Sequence, residues 1–224
     1  MAYELILGNK NYSSWSLRGW LLMQPFGIPF DPKVVELHTD DFAQFRTETP
    51  PALTVPTLLS KESGETLTVW DSLSIAEFLH ERHPEAGIWP TDPGARAAAR
   101  SLCAEMHSSY RGLRSTMPMN MRRQYKTFTP DADATADIAR ITHLWHWATE
   151  RWGGSGPYLF GANFTATEAF FAPVASRLRT YGVKLDATSQ AYCEAVLAHP
   201  STVKFFDDAM REPWVSEKNE MDIE

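Results

Sequence analysis

The chain has 224 residues, 43% of them hydrophobic and 22% charged, the balance of a folded protein long enough to bury a core without disulfide or metal staples. Twenty-one basic residues against 28 acidic ones give a formal net charge of −7, which argues against general nucleic-acid binding because that needs phosphate neutralisation.

Residues 3–7 alternate as a strand, and residues 14–26 read as a helix stopped by Gly27 and Pro29. Residues 34–37 form a second short apolar run, 41–47 a polar helix, and Pro50 and Pro51 break the chain. Residues 57–59 and 66–70 flank Glu62, Ser63, Gly64 and Glu65, the pattern of a hairpin. Residues 71–83 form an amphipathic helix that ends at Pro84. An early helix between two strands requires a parallel crossover, and the hairpin adds antiparallel strands. The expectation is a small mixed sheet with helices on its faces over residues 1–83. Residues 84–94 hold three prolines and two glycines and read as a linker.

From residue 95 the pattern is helical to the end. Residues 95–125 carry Leu102, Met106, Leu113 and Met117 on one stripe, with Pro118 expected to kink or break the helix. Further helices are expected over 133–152, 165–181, 189–198 and 203–210, and the charged tail is expected to fray. Cys103 and Cys193 are far apart and suggest neither a disulfide framework nor a metal site. The opening residues lack the order of a secretory leader, and no apolar run reaches the roughly 18 residues of a membrane span. A cytoplasmic protein without membrane or nucleic-acid partners is the expectation.

Three stretches carry candidate chemistry. Asn11, Tyr12, Ser13, Ser14 and Ser16 sit between the first strand and the first helix. One serine suffices for an N-cap, so the surplus hydroxyls suit donation to an anion beside a helix N-terminus. No histidine or acid follows closely enough to make a serine nucleophile. Val55 and Pro56 precede an apolar strand, and a cis bond there would leave the Val55 backbone free to pair with an extended peptide. Asp71 and Ser72 open a helix, where a hydroxyl and free N–H groups hold a carboxylate and the acid holds an ammonium.

Together these stretches resemble the cytosolic glutathione transferases. Ser13, Ser14, Trp15, Ser16 and Arg18 resemble the Ser-Ser-Cys-Ser-x-Arg signature of the zeta class, with Trp15 in the cysteine's place. Val55 and Pro56 followed by Asp71 and Ser72 resemble the family's glutathione site, and Thr165 with Glu168 its helix-capping box. The resemblance implies an α/β thioredoxin-like N-terminal domain (βαβαββα) followed by an all-α C-terminal domain over residues 95–224. It implies glutathione as co-substrate, no metal, a small electrophile as the other substrate, and a homodimer. Ser13 is the first choice for the thiolate donor, Ser14 stands close behind, and Tyr12 is the phenolic alternative. Val55, Pro56, Asp71 and Ser72 would hold glutathione. The basic or amide residue expected near its glycine carboxylate is missing at Ala52, Leu53 and Thr54, with His38 a substitute. Trp15, Tyr110, Arg114, Met117, Asn120 and Arg177 are candidates for the electrophile side, and Arg18 is assigned to structure. A maleylacetoacetate-type cis–trans isomerase and a non-catalytic partner-binding protein remain as alternatives.

Overall fold

The computed structural model describes residues 3–61 and 64–222; Glu62 and Ser63 of the expected hairpin turn lie outside them. The first half contains β1 (Tyr3–Leu7), α1 (Ser14–Leu21), β2 (Asp31–Val34), α2 (Asp40–Glu48), β3 (Thr57–Ser60), β4 (Leu67–Trp70) and α3 (Ser72–Arg82). The sheet order is β2-β1-β3-β4. β1 and β2 run parallel because α1 carries the chain back, while β3 pairs antiparallel with both β1 and β4. Alternation along β1 assigns the two faces. Leu5 and Leu7 join Leu17, Leu21, Ile75 and Leu79 of α1 and α3. Ile6 points the other way, to Val35, Phe45 and Val55.

Two sequence expectations shift here. The expected first helix ends at Leu21, and a separate 3-10 turn, Gln24–Phe26, starts around Pro25. The second strand lies at Asp31–Val34, not 34–37. Its register runs from Glu4 opposite Asp31 to Leu7 opposite Val34, so β1 has no further residue to pair. Beyond it Val35 N–H donates to Leu7 C=O, Leu37 N–H donates to Asn9 Oδ1, and the chain turns at His38 with φ +68°. Val35 and Leu37 are apolar because they pack under the sheet.

The second half is helical: α4 (Pro93–Ser108), α5 (Arg111–Thr116), α6 (Ala132–Ala148), α7 (Ala166–Thr180), α8 (Ala187–Ala198) and α9 (Pro200–Arg211). The stretch expected as one helix to residue 125 breaks earlier than Pro118. Ser109 is extended and Tyr110 adopts φ +64°, so α5 starts in a new direction. A side chain at Gly112 would meet the Asp133 backbone at 2.6 Å, so α5 lies hard against the start of α6. The stripe of Leu102, Met106, Leu113 and Met117 is buried in the core.

α7 is the central helix, buried along nearly its whole length. Its start has both halves of a capping box. Thr165 N–H and hydroxyl donate to Glu168 Oε2 at 2.8 and 2.7 Å. The tail is ordered up to residue 222, where fraying was expected. Glu217–Asn219 makes a 3-10 turn, and Glu220 accepts from Tyr12, Asn120 and Arg123 at 2.8, 2.9 and 2.7 Å.

Candidate functional site

The loop from β1 to α1 presents the serines at a helix N-terminus. Ser13 is the N-cap: its Oγ accepts from Ser16 N–H at 3.2 Å and donates to Ser16 Oγ at 2.8 Å. Ser16 Oγ in turn accepts from Gly8 N–H at 2.8 Å. The Ser13 hydroxyl is thus committed to buried local structure. Ser14, the first residue of α1, is half-buried, and among the described residues its hydroxyl engages no partner. The loop is clamped from the other half of the chain. Lys10 pairs with Asp208 at 2.6 Å, Asn11 Oδ1 accepts from Met121 and Arg122 N–H at 2.9 and 3.1 Å, and Tyr12 donates its hydroxyl to Glu220.

The Val55–Pro56 bond is cis, as the sequence suggested. Among the described residues, neither the N–H nor the C=O of Val55 has a backbone hydrogen-bond partner. Pro56 sits against α1, where a Cβ on Gly19 would lie 2.5 Å from Pro56 Cβ. At the start of α3, Asp71 is the N-cap and accepts from Leu73 N–H at 2.8 Å. Because Asp71 supplies the cap, the hydroxyl of Ser72 is left over. It is buried, with Ser72 only 1% exposed, and has no hydrogen-bond partner. Among the described residues, the non-glycine positions with positive φ are His38, Asp71 and Tyr110. Such backbone costs on the order of 1–3 kcal/mol and tends to gather where a ligand is held. His38 itself is exposed and, among the described residues, has no hydrogen-bond partner.

Around Trp15 both halves contribute cations: Arg18 comes from α1, Arg114 from α5 and Arg177 from α7. Arg18, 2% exposed, is stacked between Trp15 and Phe170 at 4.4 and 4.9 Å, and its Nε and Nη1 have no partner. Arg114 covers the Trp15 ring at 4.9 Å and donates to the Met106 and His107 carbonyls. Arg177 donates to the Met117 and Pro173 carbonyls. Burial and the repulsion of Arg114 and Arg177 hold the Arg18 guanidinium down to about 9. Burial and Arg114 hold Arg177 down to about 10. His107, edge-on to Trp15 at 5.1 Å, meets Asp71 at 3.1 Å. Burial lowers its pKa, with Arg18 and Arg114 acting the same way against Asp71.

The structure therefore brings Trp15, Arg18, Arg114 and Arg177 together. It does not bring the Tyr110 hydroxyl to them: that group donates to Glu105 at 2.7 Å. Met117 and Asn120 are fully buried, and Asn120 Nδ2 donates to Glu220. Both cysteines are buried, and burial first of all pushes their thiols up, Cys193 to about 12. They suit core positions, not nucleophiles. Sequence reasoning missed His107 and Glu220. Each acts across the fold on residues far away in the chain, and no local pattern marks such a pairing.

Residues 12–82 match the family model of the glutathione S-transferase N-terminal domain. A stretch of 93 residues, 42% of the chain, is 32% identical to a probable maleylacetoacetate isomerase of Caenorhabditis elegans and spans 41% of that relative. Over 95% of the chain, the fold matches a maleylacetoacetate isomerase from Anaeromyxobacter dehalogenans 2CP-1 with glutathione bound in its active site. The TM-score is 0.67, the identity 26%, and 97% of that structure is covered. A glutathione transferase homologue from Burkholderia GL BGR1, also with bound glutathione, gives a TM-score of 0.69 at 20% identity, covering 93% of this chain and 97% of that one. At that identity the shared property is the fold.

Proposed function

We propose that this chain, a member of the glutathione S-transferase family, binds glutathione along the Val55–Pro56 step and the start of α3 and ionises its thiol with the hydroxyl of Ser14. The observation that carries the reading is Ser72. A hydroxyl buried without a partner, at a helix start already capped by its neighbour, is a group held for a ligand. With the α3 N-terminus it suits the γ-glutamyl carboxylate, and Asp71 suits the ammonium. The free N–H and C=O of Val55 suit the cysteinyl backbone, and exposed His38 faces the task of the missing basic residue at the glycine carboxylate.

Ser14 then stands at the N-terminus of α1 with a hydroxyl to donate. A thiol pKa of ~8.5 brought down by about two units needs about 2.7 kcal/mol of thiolate stabilisation. One hydrogen bond to an anion supplies about 1.5–3 kcal/mol and a helix N-terminus about 0.3–1 kcal/mol, so the two suffice. The thiolate attacks a small electrophile bound on the side of Trp15 and Arg114. In the same reading residues 1–83 hold glutathione, 84–94 link, and 95–224 shape the electrophile side. The protein is a cytoplasmic homodimer, its buried free thiols suiting a reducing compartment and its exposed Leu67 and Trp70 on the edge strand β4 suiting a partner.

A second reading, glutathione-dependent cis–trans isomerisation of an unsaturated dicarboxylate, is favoured by one observation. Among the described residues, buried Arg18 and Arg177 and half-buried Arg114 cluster with no carboxylate bonded to them, and buried cations call for an anion.

Calorimetric titration with glutathione tests the first reading. Wild type is expected to bind in the micromolar to millimolar range, and Ser72→Ala about tenfold or more weakly. No heat at several millimolar glutathione would overturn it. Glutathione-dependent conversion of a cis dicarboxylate to its trans isomer, lost in Arg177→Ala, would select the second.

A further inference from the structure

We propose that the protein has a second binding site, separate from the glutathione site, for a flat aromatic organic cation. A cavity of about 700 Å³ opens where the segment between α3 and α4 passes beside the loop between α6 and α7. That volume is in the range of small-molecule sites. Aromatic rings form part of its lining, among polar and backbone groups. Trp152 and Phe160 lie 5.6 Å apart at a 35° tilt, and Tyr158 meets Phe164 nearly edge-on at 5.6 Å. Phe26 approaches Phe164 at 6.3 Å from the end of the first helical segment. Phe26, Trp152, Tyr158 and Phe160 are only partly buried, so their surfaces are open to an occupant.

The charge on the walls has one sign. Among the described residues the cavity is lined by Glu85 and Asp92, both exposed, and by no lysine or arginine. Asp92 uses Oδ1 to cap α4, accepting from Ala95 N–H at 2.7 Å. His199 also lines the space, 4.4 Å from Phe164. Its Nδ1 accepts from Ser201 N–H, and burial lowers its pKa, which disfavours the charged form. Ring faces carry negative potential and attract cations, and carboxylates at the rim add to it. The Trp152 ring already draws the Arg151 guanidinium to 5.5 Å from outside the cavity. Arg96 stands behind the wall, spent on the Pro90 and Thr91 carbonyls at 3.1 and 3.0 Å, so among the described residues an anion meets no cation on the lining itself.

The site is independent of the serine loop. Ser14 begins α1 and Phe26 lies beyond its far end, and eight helical residues alone span about 12 Å. Occupancy by the cation therefore does not compete with glutathione, and the inference stands whether or not the proposed transferase chemistry does.

Thioflavin T, a planar cationic dye whose emission rises when it is immobilised, is the probe, with the anionic dye anilinonaphthalene sulfonate as the control. Saturable thioflavin binding with a dissociation constant of about 10–100 µM is expected, unchanged by saturating glutathione. Trp152→Ala is expected to weaken it about tenfold. Because that change can disturb packing, the charge is tested separately. The Glu85→Gln, Asp92→Asn double variant keeps a capping side chain on α4 and should weaken the dye about fivefold at low salt. No saturable binding up to about 1 mM dye overturns the proposal. So does displacement by glutathione, or equal affinity for the anionic dye with no loss in the double variant.

Discussion

Exchanging Ser13 and Ser14 separately for alanine should divide stability from chemistry. Ser13→Ala removes the acceptor of Ser16 N–H and the donor to Ser16 Oγ, both buried. Loss of such a cap costs about 1–2 kcal/mol, which for a chain of this length lowers Tm by about 2–8 °C. Bound glutathione should keep its depressed thiol pKa. Ser14→Ala breaks no hydrogen bond in the protein, so stability should change by less than about 0.5 kcal/mol. The bound thiolate then loses a hydrogen bond of about 1.5–3 kcal/mol, which at 1.36 kcal/mol per unit raises its pKa by about 1–2 units. If the wild-type value is about 6.5, the ionised fraction at pH 7 falls from about three quarters to between about a quarter and a few per cent. Ultraviolet absorbance of the bound thiolate, titrated against pH beside a thermal melt, reads both quantities on one sample. A folded Ser13→Ala that loses the low pKa, beside a Ser14→Ala that keeps it, would refute the assignment and return Ser13 to the donor role.

Gly19→Ala would place a Cβ 2.5 Å from the rigid Pro56 ring. Overpacking should cost about 1–3 kcal/mol and weaken glutathione binding, and an unchanged urea midpoint would show that the contact can yield. Burial pushes the Glu168 carboxyl up to about 7 from an ordinary 4.5, although it accepts from Thr165 and Leu159. The folded state therefore holds this proton more tightly than the unfolded one. The resulting stabilisation is full below pH 4.5 and is lost as pH rises through about 7, a change of about 3 kcal/mol. Glu168→Gln should flatten that part of the stability–pH curve, and a curve of unchanged slope would count against the shift. Glu220→Ala leaves Tyr12, Asn120 and Arg123 without their shared acceptor. Amide exchange over residues 213–222 should speed up about tenfold or more with little loss of global stability; protection as in wild type would mean the tail is held elsewhere.

What the sequence determined by itself is what local pattern encodes. Alternation in β1 sends Leu5 and Ile6 to opposite faces, and the helical crossover makes β2 parallel. Thr165 and Glu168 at capping-box spacing announce the start of α7, and the serine cluster and Asp71–Ser72 mark two helix starts where polar groups exceed what capping uses. These signals depend on neighbours a few residues away. Only the tertiary structure decided which serine hydroxyl is spent, because Ser13 is committed through Ser16 to Gly8 across the start of the loop. It also decided that Tyr12 faces Glu220, that Asp71 meets His107, and that three arginines share one buried region. The second strand and the break at Tyr110 were misplaced for the same reason. Val35 and Leu37 are apolar to fill space under the sheet, and the chain turns at Tyr110 so that Gly112 can lie against α6. Close packing selects such partners across the whole chain, and that selection has no short-range signature.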